Sequence, residues 1–206
     1  AFYLAKKDNL EEEHIPQALN SIVQILLEEE DRLCSNNPTP LPGPCLDLFF
    51  REGVLHFICR ACVRDTPRGM RKLTMAAVSN LLRSAQYIPL LPHQSVQVPL
   101  STLVKSCLAI KLERGERMTS FDEEFLALLE TISLKIQEIP SCVHFFFNSE
   151  KEVSFPIFDC LILHIHQQDT RGERSRQACE RLLQVSSSDR TDQIMTYILS
   201  TDFARR

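Results

Sequence analysis

Cysteine and histidine are the side chains of this sequence with the widest chemical range, as nucleophiles, redox pairs or metal ligands. The 206 residues contain eight cysteines and six histidines. His56, Cys59 and Cys62 follow one another at intervals of three, so they share one helical face, but a zinc site needs a fourth ligand. The cysteine pair also falls late in its segment, whereas a reactive thiol is typically at a helix N-terminus. Buried packing is the favoured interpretation, with metal and redox sites as alternatives.

The remaining candidates for chemistry also fit structural roles. His164 and His166 are two residues apart and point to opposite sides of a helix, so we expect one to be exposed and the other partly buried. The glutamate runs at 11–13 and 28–30 are typical of a solvated surface. No phosphate cradle, dinucleotide fingerprint or Gly-x-Ser-x-Gly elbow is present. The sequence therefore indicates no catalytic, cofactor-binding or metal-binding residue, and we expect a protein that is not an enzyme.

The composition is that of a folded chain without a membrane span. Hydrophobic residues make up 44% and the net charge is only −4, which excludes a disordered polyelectrolyte. No apolar run approaches the roughly 20 residues that cross a bilayer. Reduced cysteine packs as a small hydrophobe, so a reducing cytosolic location is expected. Because the sequence starts with Ala1 and ends on Arg205-Arg206 directly after a helical segment, we expect a fragment of a longer chain.

Apolar residues recur with the period of α-helices along most of the sequence. The surest stripe runs from Phe121 to Ile136, with Ser120 at capping-box spacing and Pro140 as its stop. Another runs from Leu19 to Leu26, with Pro16 in its first turn and a frayed acidic end. Pro67 is predicted to open a third helix. Thr170 is predicted to cap one of the last helices, and residues 54–63 are apolar almost all round, which predicts cover on several sides.

The fold class that follows is all-α. Gly43, Gly53, Gly69, Gly115 and Gly172 all fall at predicted joints, and no strand alternation appears between them. About nine or ten short helices, two per roughly 40 residues, have the period of HEAT and armadillo repeats. We expect a single domain over residues 1–206, built as a right-handed α-solenoid of HEAT/armadillo-like helix pairs. An irregular helical bundle has similar spacing and stays open as an alternative.

Two surfaces are candidates for binding a partner. Residues 51–118 carry a net charge of +7 between acidic stretches, and Arg64, Arg68, Arg71 and Lys72 bracket a turn and a first helical turn. Positive charge is unfavourable there, which hints at an outside anion or acidic partner. Ordinary solvation, or pairing with Asp65, is the alternative.

The second candidate is the aromatic run Phe145, Phe146 and Phe147. A short helix cannot bury three consecutive rings against one neighbour, and exposed apolar area usually marks an interface. Core packing is the alternative. The alternating charge blocks argue against a nucleic-acid-binding domain of uniformly high pI and leave a local basic face open.

Several short motifs occur in an order that resembles the N-terminal conserved region of the FHIP family, the Hook-interacting proteins of the FTS-Hook-FHIP complex. The likeness extends from about Leu19 to Val185. The motifs are Gly43-Pro44-Cys45-Leu46, Pro67-Arg68-Gly69-Met70-Arg71, Pro89-Leu90-Leu91-Pro92-His93, Val143 with Phe145-Phe146, and Ala178-Cys179-Glu180 with Leu182-Leu183.

This resemblance implies a non-enzymatic cytoplasmic α-solenoid adaptor at the cytosolic face of endosomes. It implies that a Hook coiled-coil protein and the FTS subunit are partners, that a Rab-type GTPase selects the vesicle, and that Hook engages dynein and dynactin. It carries no residue-level ligand motif. The alternative function is a microtubule-associated or ciliary structural solenoid subunit that uses the basic middle of the chain against acidic tubulin tails.

Overall fold

The structure is a computed structural model that describes residues 2–34, 41–114, 121–147, 154–188 and 197, with side chains for 14–34, 41–113, 121–147, 154–185 and 197. These residues form eight α-helices and one 3-10 helix, and no β-strand is found in these ranges, which confirms the all-α class. No helix in the same ranges is both long and apolar enough to cross a membrane. The helices are α1 (Phe2–Cys34), α2 (Pro44–Arg51), α3 (Val54–Arg64), α4 (Met70–Ser84), α5 (Gln94–Arg114), α6 (Asp122–Glu138), the 3-10 helix (Pro140–Phe146), α7 (Pro156–Ile162) and α8 (Thr170–Ser188).

The chain divides into two compact units, residues 1–99 and residues 100–206. In the first unit α1 packs against α2 and α4, and α3 packs against α2 and α4. In the second unit α6 packs against α8, α7 and the 3-10 helix. Helix α5 begins in the first unit and ends in the second, with Pro99 inside it.

Helix α1 begins at Phe2, so Pro16 lies inside it and not in its first turn. The prediction of a helix start at this proline was wrong. A proline removes one backbone hydrogen bond, but the apolar stripe continues on both sides of it. Ile15 and Leu19 belong to one hydrophobic cluster with Ile58, and this packing holds the helix together across the proline.

The acidic end of α1 is anchored to the next helix through Glu29. Its carboxylate accepts hydrogen bonds from the N–H groups of Cys45, at 2.8 Å, and Leu46, at 2.9 Å, in the first turn of α2. A Cβ added to Gly43 would clash with the side chain of Glu29, so glycine at this N-cap position leaves room for the carboxylate. The predictions of a frayed end and of a solvated glutamate run were therefore wrong at this residue.

Glu30 is the second anchor of α1, and its side chain is only 5% exposed. It accepts hydrogen bonds from the N–H groups of Gln86, Tyr87 and Ile88 at 3.3, 2.8 and 2.6 Å. These residues follow the end of α4 and lie 56 to 58 positions along the chain from Glu30. One carboxylate thus accepts hydrogen bonds from three backbone N–H groups that lie outside any helix and so have no acceptor within one.

The Glu29 anchor makes stability depend on pH. Burial acts to raise the pKa of Glu29, but the hydrogen bonds from Cys45 and Leu46 outweigh it and lower the pKa below 4.5. A carboxyl group with a lower pKa in the folded state stabilises it at neutral pH, and this stability is lost as the pH falls below 4.5 through the folded pKa. We expect Glu29→Gln to unfold at lower urea concentration than wild type at neutral pH, and the two midpoints to converge in acid. Glu28→Gln, at an exposed neighbour, is the control; equal midpoints for Glu29→Gln and wild type at neutral pH would contradict the anchor.

Helix α6 is the centre of the second unit. Its predicted stripe is confirmed, because Phe125, Leu128, Leu129, Ile132 and Ile136 are at most 1% exposed. The helix ends at Glu138, before Pro140, as predicted. The predicted capping residue Ser120 lies outside the described residues, and the N-cap position belongs to Phe121.

An ion pair is buried in the second unit. The Nζ of Lys111 on α5 lies 2.6 Å from the Oδ1 of Asp122 at the start of α6, and the two side chains are 6% and 3% exposed. His164 is buried, and burial followed by the charge of Lys111 lowers its pKa. His166 is exposed, as expected for one of the two histidines, whereas His164 is fully buried and not only partly so. Both follow the end of α7 at Ile162, so the prediction that they point to opposite sides of a helix was wrong.

Helix α8 starts with a different cap from the predicted one. The Oδ1 of Asp169 accepts hydrogen bonds at 3.1 Å from the N–H groups of Arg171 and Gly172, and its carbonyl oxygen accepts from the N–H of Glu173. Asp169 therefore caps the helix, and the prediction of Thr170 was wrong by one residue. An aspartate carboxylate offers two acceptors for the donors of a first turn.

Candidate interaction surface

The predicted basic cluster lies at the tight turn between α3 and α4. Asp65 ends α3 in the left-handed conformation, with φ 51°, and Gly69 is the N-cap of α4 with φ 92°. Aspartate and glycine are among the residues that adopt this conformation most readily. Helix α4 begins at Met70, so the prediction that Pro67 opens it was wrong. Pro67 belongs to the turn itself.

Asp65 and Arg71 hold this turn through reciprocal caps. The Oδ1 of Asp65 accepts hydrogen bonds from the N–H groups of Gly69, at 3.1 Å, and Arg71, at 3.0 Å, at the start of α4. The guanidinium of Arg71 donates from Nε to the carbonyl oxygen of Cys62, at 3.2 Å, and from Nη2 to that of Val63, at 2.8 Å. A negative group therefore lies at a helix N-terminus and a positive group at a helix C-terminus, which are the favourable placements.

This geometry separates the four predicted basic residues. Arg64, Arg68 and Lys72 are exposed, whereas Arg71 is half-buried and caps α3. Arg71 is in the first turn of α4, where its charge is unfavourable, but the same charge lies at the end of α3, where it is favourable. Its position is thus explained inside the fold, and its role toward a partner stays a prediction.

Removing the Arg71 guanidinium should destabilise the turn. We expect Arg71→Ala to lower the free energy of unfolding by about 1–2 kcal/mol, because two charge-assisted hydrogen bonds to part-buried carbonyls are lost. Lys72→Ala, one residue further on and exposed, should change it by less than about 0.5 kcal/mol. Urea unfolding followed by far-UV circular dichroism measures both. A loss for Lys72→Ala as large as that for Arg71→Ala would contradict the assigned cap.

The aromatic run is divided by the 3-10 helix. Phe145 is 41% exposed, Phe146 is 2% exposed, and the ring of Phe147 stacks on that of Phe155 with centroids 4.5 Å apart. With about three residues per turn, consecutive side chains point in three directions. The run is therefore not one continuous patch, and Phe145 is the member with the exposed ring.

The cysteine and histidine candidates do not converge. Cys59 and Cys62 are buried in the core of the first unit, whereas His56, one turn before Cys59 on the same helix, is exposed. Burial raises the pKa of the Cys62 thiol to about 12, so the nucleophilic thiolate is scarce at neutral pH. In the ranges covered by the structure, no three His, Cys, Asp or Glu side chains are grouped so that they could hold a metal ion.

The outward face of α3 was not predicted from the sequence. Residues 54–63 were expected to be covered on several sides, and this was wrong: Phe57 is 74% exposed, and Arg60 and Arg64 are exposed beside it. The helix is therefore amphipathic. Its buried side is narrow and consists of Leu55, Ile58, Cys59 and Cys62. The arginines at 60 and 64, four residues apart, were a signal of a solvent face.

Comparison with known proteins identifies a family and several relatives of this chain. A family model described as retinoic acid induced 16-like protein matches residues 45–205. An FHIP family protein of Caenorhabditis elegans is 26% identical over 184 residues, which are 81% of this chain and 20% of the relative.

The names of two further relatives refer to a protein complex. FHF complex subunit HOOK-interacting protein 1A of Mus musculus is 25% identical over 150 residues, covering 71% of this chain and 13% of the relative. FHF complex subunit HOOK-interacting protein 1B of Homo sapiens is 27% identical over 184 residues, covering 84% and 18%. The chain therefore spans about a fifth or less of the length of these curated relatives.

Proposed function

The chain belongs to the FHIP family, the family of the retinoic acid induced 16-like model, and from this premise we propose that it is part of a non-enzymatic scaffold of the FHF type. The observation that carries the proposal is that relatives aligned over most of this chain are named HOOK-interacting subunits of the FHF complex. Because this chain spans only a small part of those relatives, the partners of the whole protein are themselves proposals.

The proposed partners are a Hook coiled-coil protein and the FTS subunit, with a Rab-type GTPase that selects the vesicle. In this proposal the protein is cytoplasmic, acts at the cytosolic face of endosomes, and links them through Hook to dynein and dynactin. Its work is binding alone, across interfaces of about 1,600 Å² in total, the standard size for a specific complex.

We propose a right-handed α-solenoid of HEAT/armadillo-like helix pairs as the architecture that presents these surfaces, within a single domain over residues 1–206. Within each unit, helices that follow closely in the chain pack together, as α3 does with α4 and α7 with α8. A helix pair leaves one face to be covered by the next pair, which favours stacking.

The experiment is recovery of partners by the full-length protein from cytosol. We expect wild type to co-precipitate both Hook and FTS. If Arg64, Arg68 and Lys72 form part of a partner surface, changing all three to glutamate should reduce the recovery of one partner at least about fivefold. Lys105→Glu, an exposed charge change on α5, should not. Repeated recovery of neither partner by wild type would overturn the adaptor proposal.

The exposed positions of Arg64, Arg68 and Lys72 also favour a second candidate, a microtubule-associated or ciliary structural subunit. Such a protein would use these charges on acidic tubulin tails, so its co-sedimentation with microtubules should fall steeply with salt and be lost in the triple glutamate variant. Binding through Phe145 would respond little to salt. Salt-independent co-sedimentation, or none, would remove this candidate.

A further inference from the structure

Helix α3 has two opposite faces. At about 100° per residue, the buried residues Leu55, Ile58, Cys59 and Cys62 lie within an arc of about 100°. Phe57, Arg60 and Arg64 lie within an arc of about 60° on the opposite side. The fully buried side chains of α3 all lie in the first arc, and the partly buried Val54 and Ala61 pack against the core beside it. The second arc, which we name the outer stripe (Phe57, Arg60, Arg64), is exposed along its length.

The outer stripe combines an exposed ring with uncompensated charge. Phe57, at 74% exposure, is the most exposed aromatic side chain among the residues whose side chains are described. No carboxylate within those ranges forms an ion pair with Arg60 or Arg64. The contrast is local, because Arg51 on the adjacent α2 pairs with Asp47 and Glu52, at 3.6 and 3.3 Å.

We infer that the outer stripe is a docking surface for an acidic amphipathic helix of a partner protein. Arg60 and Arg64 are one helical turn apart, about 6 Å along the axis. Glutamates four residues apart on a second helix have the same spacing, so each guanidinium meets one carboxylate when the helices lie side by side. Phe57, one turn before Arg60, packs on an apolar side chain of the partner.

The residue types favour a protein partner over a membrane or a nucleic acid. The planar guanidinium binds carboxylates through two parallel hydrogen bonds, and exposed aromatic rings beside arginine are typical of the centre of protein interfaces. Nucleic-acid interfaces are larger and strongly positive, whereas this sequence has a net charge of −4. Stable attachment to a membrane takes a lipid chain or a large apolar face in addition to charge, and one ring is not such a face.

This inference deepens the proposed scaffold function, and peptide binding tests it separately. The probe is a fluorescein-labelled stapled helix that contains Leu-x-x-Glu-x-x-x-Glu-x-x-Leu, which fits the outer stripe in either direction. Its control has the same composition, with the two glutamates two residues apart and thus on opposite sides. Fluorescence anisotropy with the full-length protein should give binding at least about tenfold tighter for the probe than for the control peptide.

Substitutions in the outer stripe should weaken binding of the probe, whereas substitutions outside it should not. We expect Arg60→Glu with Arg64→Glu to weaken probe binding at least about tenfold, and Phe57→Ser at least about fivefold. Lys105→Glu, a single exposed charge reversal outside the stripe, should alter it less than about twofold. A probe with arginine in place of both glutamates should bind the double variant and not wild type. Because these positions are exposed, circular dichroism should report unchanged folding.

Three outcomes would overturn the inference: equal binding of probe and control peptide, equal binding by wild type and the double variant, or loss of phosphatidylserine vesicle or RNA binding in that variant when the probe binds neither protein. Recovery of Hook and FTS by wild type is an independent result. If it succeeds while the probe fails, only the docking surface is wrong; if it fails while the probe binds, the surface stands without the FHF assignment.

Discussion

Replacing Lys111 with alanine is expected to lower the free energy of unfolding by about 3–5 kcal/mol, which is the usual cost of removing one partner of a buried ion pair. The Nζ of Lys111 lies 2.6 Å from Asp122 Oδ1, and both side chains are almost fully buried. Without the lysine, the buried Asp122 carboxylate loses the positive charge that lies 2.6 Å from it and offsets the cost of its burial. Urea unfolding followed by far-UV circular dichroism measures the loss.

Two further variants separate the pair from its parts. Lys105→Ala removes an exposed lysine from the same helix and should change the free energy by less than about 0.5 kcal/mol. Lys111→Met combined with Asp122→Leu replaces both charges by apolar groups, and should recover most of the loss of the single variant. A double variant as unstable as Lys111→Ala would contradict a pairwise electrostatic origin.

Replacing Glu30 with alanine is expected to cost about 3 kcal/mol, because three backbone N–H groups lose a charged acceptor in a buried place. The amides of Gln86, Tyr87 and Ile88 should also exchange hydrogen faster, since all three donate to this carboxylate. Hydrogen exchange followed by mass spectrometry reads this segment directly in the full-length protein.

The control for Glu30 is two residues earlier on the same helix. Glu28 is exposed, and its partners among the described side chains are Gln24 and Arg32 of the same helix, so Glu28→Ala should change the free energy by less than about 0.5 kcal/mol. Its effect on exchange at residues 86–88 should be absent. If both alanine variants behaved alike, Glu30 would be no anchor.

The parts of the fold that depend on local periodicity were predictable from the sequence. The stripe of α6 and its end before Pro140 needed only the spacing of apolar residues and one proline. The same reasoning failed for residues 54–63, where a nearly continuous apolar run concealed an exposed side that carries Phe57. Hydrophobicity alone does not tell which ring a neighbouring helix will cover.

Polar residues with distant partners could not be predicted. Glu29 and Glu30 look solvated in the sequence because the backbone N–H groups that they bind are distant. Those bound by Glu29 lie 16 and 17 positions along the chain, and those bound by Glu30 lie 56 to 58 positions along it. Arg71 looks unfavourable in the sequence because its positive charge is at the N-terminus of α4. The helix end that it stabilises is the C-terminus of α3. In each case the local sequence shows the charge, and only the tertiary structure shows which backbone group it meets.

The aromatic run shows the same limit. A short helix was expected not to bury Phe145, Phe146 and Phe147 against one neighbour, but the sequence did not show which ring stays exposed. The segment is a 3-10 helix that starts at Pro140, and its tight winding sends each ring in its own direction. Burial of Phe146 and stacking of Phe147 fit the core-packing alternative, whereas Phe145 is exposed, and binding of a partner there stays a prediction.

The buried thiol of Cys62 can report on local opening of the fold at the α3–α4 turn. The Sγ of Cys62 lies 3.7 Å from the carbonyl oxygen of Arg71, behind the reciprocal caps of the α3–α4 turn, and Cys34 and Cys45 are partly accessible. An alkylating reagent should therefore label the latter pair before Cys62, and should reach Cys62 only during transient separation of α3 from α4. The labelling rate at Cys62 would measure how often α3 separates from α4, and no dye would have to be introduced.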